Sequence, residues 1–225
     1  MLTNPPTKET YPPTPQSHDY SHTLRVMSLA QRIGASICAS QLIVTLAALL
    51  HDIGDYKLVQ QGLTTTLDEA HAFLVKNGCA VDIADAVVLT VNSIGFSKSL
   101  GKEREEKTVS KEVVALQDAD YLDAIGAIGI ARVFSFGGSL GQRFYTDNER
   151  EHLVGQGCFY NDVVEVSQHQ YVDKERGSNV GHFYEKLLKL KDRIVTDEGK
   201  KLAENRHAFM VNYLKQLGQE CLAQA

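Results

Sequence analysis

Apolar residues recur at helical spacing along most of the chain. Between residues 20 and 39, Leu24, Met27, Ile33 and Ile37 follow one another at multiples of three and four residues, which predicts a first helix with one apolar face. Between residues 41 and 53, Leu, Ile, Val and Ala occupy nearly every position. This second pattern predicts a central buried helix, which Gly54 can end.

Capping residues indicate where the later helices begin. Thr66 or Asp68 can cap a third helix to about Lys76, and residues 81–91 predict a fourth. Ser110 can cap a long helix that reaches about residue 134. The charged, glycine-containing residues 97–107 predict a loop, and residues 136–181 show no sustained period and are predicted to be irregular. Two closing helices are expected at residues 181–192 and 197–219.

Proline is distributed unevenly. All five prolines lie in the first fifteen residues of the 225-residue chain, and none follows. Because proline is excluded from helix interiors, this distribution favours an all-α fold preceded by a non-helical lead-in. We expect a flexible proline-rich segment at residues 1–16 and a single domain at residues 17–225.

Composition narrows the class of protein. The chain is 43% hydrophobic and 23% charged, with a net charge of −5, so it carries no general field for nucleic acid or an anionic membrane. No apolar run approaches the roughly 20 residues of a membrane span, and no secretory signal is visible. The four cysteines lack CxxC spacing. We therefore expect a cytoplasmic protein with reduced thiols and neither a nucleic-acid nor a membrane partner, and leave a homodimer open.

The adjacent pair His51 and Asp52 is the most informative chemical feature. It lies in the last turn of a helix that is otherwise apolar, where a carboxylate needs a partner, and a cation is one. Neighbouring side chains on a helix diverge by about 100°, so other helices must complete such a site. His22 and Asp120 are the candidates. Two imidazoles and two carboxylates suit manganese, nickel, cobalt, iron or zinc, with open positions that favour catalysis.

Each of these assignments has a structural alternative. His22 could be a hydrogen-bonded helix histidine, and His51 could cap the end of its helix. Asp118, Asp120 and Asp123 compete for the last position. On a helix Asp120 and Asp123 lie within about 60° of one another, whereas Asp118 points about 200° away from Asp120.

Four segments resemble the HD-domain superfamily of metal-dependent phosphohydrolases, and within it the YpgQ/YedJ-like branch. Starting at residues 18, 47, 117 and 182, they read HDYSHTLRV, AALLHDIGD, QDADYLDAIGAIGIAR and HFYEKLL. The resemblance implies an HD-domain helical bundle whose central helix carries the His-Asp dyad. It also implies one divalent metal, with magnesium added to the ions above, held by His22, His51, Asp52 and Asp120. Asn92 stands near a position where many relatives have histidine, which leaves substrate contacts in residues 92–97 open.

Further residues are candidates for proton transfer and substrate binding. Asp55 could orient or deprotonate the attacking water. His18, four residues before His22, could support a metal ligand without binding the metal itself, or it could contact the substrate. A polyphosphate needs cations in an acidic protein, and Arg25 and Lys57 are best placed for this role by their closeness in sequence to the ligands. We assign the substrate contacts to these two residues together with Asp123 and the less well placed Lys186. An ordinary surface role is the alternative for each.

The resemblance implies a nucleotide pyrophosphohydrolase, which splits a nucleoside triphosphate into monophosphate and pyrophosphate with a metal-activated water. A phosphomonoesterase of the 5′-nucleotidase kind could use the same ligands. A third hypothesis is a non-catalytic, nucleotide-binding regulatory module. The chain has no P-loop lysine pattern and no nucleophile elbow, so neither a P-loop nucleotide site nor acyl transfer is supported.

Overall fold

The computed structural model describes residues 20–53, 66–94, 109–162 and 177–223. Within these ranges the secondary structure is entirely helical, which confirms the predicted all-α class. The helices, numbered along the chain, are α1 Tyr20–Ser36, α2 Gln41–Leu50, α3 Leu67–Lys76, α4 Val81–Ser93, α5 Lys111–Asp123, α6 Gly126–Ser139, α7 Asp147–Gln156, α8 Asn179–Glu185, α9 Leu190–Arg193 and α10 Asp197–Cys221, with a 3₁₀ turn at Leu187–Lys189 before α9.

Capping residues start several helices as predicted. Thr66 caps α3 through a capping box with Glu69, and the Ser110 hydroxyl accepts a hydrogen bond from the backbone N–H of Val113 at the start of α5. The predicted proline-rich segment at residues 1–16 and the charged loop at residues 97–107 lie outside the described residues.

The predicted long helix after Ser110 is wrong, because it is two helices. Helix α5 ends at Asp123, and α6 begins at Gly126, whose φ of +78° lies in the left-handed region that glycine adopts readily. The chain therefore changes direction between two apolar segments that the sequence pattern does not separate. This break matters for the site, because it turns α6 back beside the end of α5.

The predicted irregularity of residues 136–181 is also wrong in part. Helix α6 continues to Ser139, and α7 occupies Asp147–Gln156. Thr146 and Glu149 form a capping box at the start of α7, and Gly157 ends it at a φ of +73°. A Thr-x-x-Glu capping signature was therefore present in the sequence, but α7 lacks a continuous apolar face and gave no periodic signal.

The core forms where α1 packs against α5 and α2, and α10 closes over α6 and α5. Nine of the thirteen residues of α5 are buried, which makes it the most buried of these helices. Helix α2 is less buried than its composition predicts: Leu42 and Leu49 are 56% and 41% exposed. A smaller apolar cluster of Leu153, Phe159 and Val180 lies apart from the main core. No helix of the described residues has the length and hydrophobicity needed to cross a bilayer.

Gly126→Ala tests the break between α5 and α6. An added Cβ would lie 3.0 Å from Cβ of Arg206, and the left-handed backbone costs a residue with a side chain about 1–2 kcal/mol. We expect Tm to fall by about 5 °C in a thermal melt. Gly155→Ala in α7 is the control, because its Cβ would meet nothing within 4 Å. Equal melting temperatures for both variants would contradict this account of the break.

Candidate metal centre

Three separate parts of the chain converge on one site. Helix α1 contributes His22 from its first turn, the turn that follows α2 contributes His51 and Asp52, and α5 contributes Asp120. The two imidazole side chains are almost completely buried, at 2% and 3% exposed. The two carboxylates are 25% and 30% exposed. The site therefore has a buried nitrogen side and an accessible oxygen side.

The ligand atoms of His22, His51 and Asp52 lie close enough to share one ion, and Asp120 lies near this group without being part of it. Nε2 of His22 lies 3.1 Å from Nε2 of His51 and 3.8 Å from Oδ2 of Asp52. Oδ1 of Asp120 lies 3.9 Å from the same His22 nitrogen. One ligand atom from each of His22, His51 and Asp52 can be chosen so that all three lie within 4.8 Å of one another. Ligand atoms about 2.1 Å from one cation are about 3.0 Å apart at right angles and about 4.2 Å apart when opposite.

Hydrogen bonds fix which nitrogen of each imidazole carries the proton. Nδ1 of His51 lies 2.7 Å from the carbonyl oxygen of Ala48, which can only accept, so Nδ1–H donates and Nε2 keeps its lone pair. Nδ1 of His22 lies 2.7 Å from Oδ2 of Asp123 and donates to that carboxylate. The two Nε2 lone pairs then face each other at 3.1 Å, an arrangement that is repulsive unless a cation or a proton lies between them.

Asp123 is buried behind His22, away from the face that carries Asp52 and Asp120. It is 1% exposed and accepts hydrogen bonds from Arg25 and Arg132 as well as from His22. Burial opposes its ionisation, but the hydrogen bonds from His22 and Arg25 and the charge of Arg132 outweigh burial and hold the pKa of Asp123 well below its usual range. The carboxylate is therefore ionised, and it can only accept from His22.

Asp118, the first aspartate of α5 along the chain, has a structural role away from the imidazoles. It is fully buried and accepts hydrogen bonds from the backbone N–H groups of Val195 and Thr196 and from the Thr196 hydroxyl, at 2.6–3.2 Å. It thereby holds the segment that enters α10. Of the three aspartates between which the sequence left the choice open, Asp120 is the one that lies near Nε2 of His22, the nitrogen that faces His51.

This donor set fits a divalent cation. Two imidazoles direct their Nε2 atoms at the site, two carboxylates supply oxygen ligands, and both Nδ1–H groups are held by acceptors, as is usual for metal-binding histidines. A mixed nitrogen and oxygen set of this kind suits several transition metals and does not select one.

The remaining predicted site residues fall into two groups. His18, Asp55 and Lys57 lie outside the described residues. Arg25 is ion-paired with Asp123, and Lys186 lies directly after α8.

Arg132 is a residue to which sequence reasoning gave no role. It is the single charged residue of α6, and its Nη1 donates to Oδ2 of Asp123 at 3.0 Å. An isolated arginine in an otherwise apolar helix needs a carboxylate partner, and that signal was available in the sequence.

Comparison with known proteins also indicates an HD-domain fold that includes the candidate ligands. The HD-domain family model matches residues 19–125, a range that contains all four candidate ligands. YpgQ of Bacillus subtilis is 36% identical over 203 residues, which cover 90% of this chain and 84% of YpgQ. The crystal structure of YpgQ in complex with ADP superposes with a TM-score of 0.69 at 34% identity, covering 91% of this chain and 90% of that one.

Two further solved structures extend the comparison. A protein from Lactobacillus plantarum has a TM-score of 0.73 at 30% identity and covers 93% of this chain and 90% of its own. An HD-superfamily hydrolase from Bacillus thuringiensis has a TM-score of 0.64 at 28% identity, with 92% of this chain and 88% of its own covered. Because the whole helical fold is shared and the matched region brings the histidines and aspartates together, the chain belongs to the HD-domain superfamily of metal-dependent phosphohydrolases.

Proposed function

We propose that this protein is a nucleotide pyrophosphohydrolase, which hydrolyses nucleoside triphosphates to monophosphate and pyrophosphate. The observation that carries the proposal is the pair of facing Nε2 lone pairs of His22 and His51, with the carboxylates of Asp52 and Asp120 beside them. The crystal structure of the relative YpgQ was determined in complex with ADP, which supports a nucleotide as the ligand class. ADP contains the phosphoanhydride linkage that such an enzyme would cleave in a triphosphate.

In this proposal His22, His51, Asp52 and Asp120 hold one divalent cation. Such a cation, when bound, lowers the pKa of water and polarises a phosphoryl oxygen. The imidazoles form the buried wall of the site, and the partly exposed carboxylates face the side from which substrate and water enter. Because the Ala48 carbonyl and the Asp123 carboxylate accept from the two Nδ1–H groups and hold both imidazoles before substrate arrives, the site requires little rearrangement.

Roles for proton transfer and phosphate binding remain part of the proposal. Asp55 and His18 are proposed to hold or move the proton of the attacking water, since each is close in sequence to a ligand. Lys57 and Lys186 are proposed as cations for the polyphosphate. Arg25 and Asp123 bind each other, so their contribution to substrate binding is indirect, through His22.

A panel of nucleoside triphosphates, with manganese or nickel added, tests the proposed bond. We expect nucleoside monophosphate and pyrophosphate as the two products, with pyrophosphate measured separately from orthophosphate. We also expect a chelator to abolish turnover until the metal is restored. Orthophosphate as the sole product would reject cleavage at the α-phosphorus. Turnover of monophosphates in the same assay would favour a phosphomonoesterase instead.

A further inference from the structure

The imidazole of His22 lies between two aspartates of the same helix. On α5, Asp120 places Oδ1 3.9 Å from Nε2 of His22, and Asp123 places Oδ2 2.7 Å from Nδ1 of the same ring. The two aspartates are three residues apart, so their side chains lie on one side of the helix. One helix therefore supplies both a candidate metal ligand and the group that holds another ligand in place.

Both oxygens of Asp123 are occupied by donors from other helices. Nε of Arg25 donates to Oδ1 at 2.7 Å, and Nη2 of the same guanidinium donates to Oδ2 at 3.1 Å. Nη1 of Arg132 donates to Oδ2 at 3.0 Å, and it also lies 3.2 Å from Nδ1 of His22. Since that nitrogen and the guanidinium are both donors, Oδ2 is the acceptor that they share.

We infer that Asp123 is a positioning residue for the metal centre, which Arg25 and Arg132 hold in place so that Nε2 of His22 presents its lone pair to the cation. The inference rests on the proposed metal site but concerns residues that do not touch the metal. The two arginines come from α1 and α6, so three helices fix the rotation of one carboxylate. Carboxylates behind metal-binding histidines typically change metal affinity by about 10- to 100-fold when replaced.

Asp123→Asn separates this role from simple packing, because asparagine keeps the size of the side chain. An amide has one accepting oxygen and one donating nitrogen, so it cannot accept from His22 and Arg25 on both of its ends. If its nitrogen turns to His22, the ring must accept at Nδ1 and carry its proton at Nε2, which removes the lone pair needed by the metal. If its oxygen turns to His22, the amide nitrogen meets Nε–H of Arg25, which is also a donor.

The experiment measures Mn²⁺ affinity by calorimetry and the His22 tautomer by ¹⁵N NMR of the metal-free protein, with His22→Gln to assign the signal. We expect His22 in the wild type to carry its proton at Nδ1. Asp123→Asn should weaken Mn²⁺ binding by about 10- to 100-fold, and the proton should move to Nε2 in a folded protein. Arg25→Gln and Arg132→Gln should show smaller losses of affinity. Arg32→Gln is the matched control, since Arg32 also lies on α1 and pairs with a carboxylate, that of Glu198, elsewhere on the protein.

Two results would overturn the inference: an Nε2–H tautomer in the wild type, or Mn²⁺ affinity in Asp123→Asn equal to that of the wild type. If the wild type binds neither Mn²⁺ nor any of the other divalent ions named for this site, the proposed function fails, and the tautomers of wild type and variant then decide the inference alone. If Asp123→Asn does not fold, the wild-type tautomer and the two arginine variants decide it in the same way.

Discussion

His51→Ala is expected to abolish hydrolysis while the protein stays folded. Its Nε2 faces that of His22 at 3.1 Å, and no other described side chain lies in that position to replace it. Loss of a cation that contributes several kcal/mol to the transition state corresponds to a fall in kcat/KM of at least about 10³-fold. Turnover with saturating metal measures the loss of hydrolysis, Mn²⁺ calorimetry measures the loss of metal binding, and circular dichroism shows whether the protein stays folded.

His71→Ala is the matched control for His51→Ala. His71 also pairs with an aspartate, with Nε2 2.9 Å from Oδ1 of Asp85, but that pair lies on an exposed surface between α3 and α4. We expect this variant to keep wild-type turnover and metal affinity. Full activity in His51→Ala, or an equal loss in both variants, would remove the metal mechanism.

Asp118→Ala is expected to cause the largest loss of stability. Its carboxylate is fully buried, and its removal leaves two backbone N–H groups at the entry to α10 without their acceptor. Each buried donor left unsatisfied costs about 1–3 kcal/mol, so we expect the loss of the acceptor for two donors to lower the free energy of unfolding by about 2–6 kcal/mol. The corresponding fall in Tm is about 10 °C, measured on metal-free protein.

Asp120→Ala gives the opposite result at a position two residues further along the same helix. Its carboxylate is 30% exposed, so its loss should change the free energy of unfolding by less than about 0.5 kcal/mol. Mn²⁺ binding and turnover should fall instead, because a proposed ligand is gone. A stable Asp118→Ala protein, or an unstable Asp120→Ala protein with normal metal affinity, would show that the two aspartates have been assigned the wrong way round.

The elements that were predicted well carry local signals. The Thr66 capping box and the apolar period of α1 depend on residues within a few positions of one another. Such short-range patterns can be recognised directly in the sequence. The break at Gly126 was missed because apolar residues continue on both sides of it, and only the positive φ distinguishes the junction. Helix α7 was not predicted because it has a capping box but no continuous apolar face, and the apolar period is the stronger helix signal.

Local periodicity and motifs a few residues long are enough to establish the helical class, the types of side chain available for a metal and the superfamily. The separate roles of the three aspartates of α5 depend instead on tertiary packing. Asp118 accepts hydrogen bonds from the segment before α10, and Asp120 lies 3.9 Å from Nε2 of His22. Asp123 accepts from Nδ1 of His22, which lies 101 positions away in the sequence. A helix fixes the directions of its side chains, but their partners depend on how distant helices pack, and no local pattern encodes that packing.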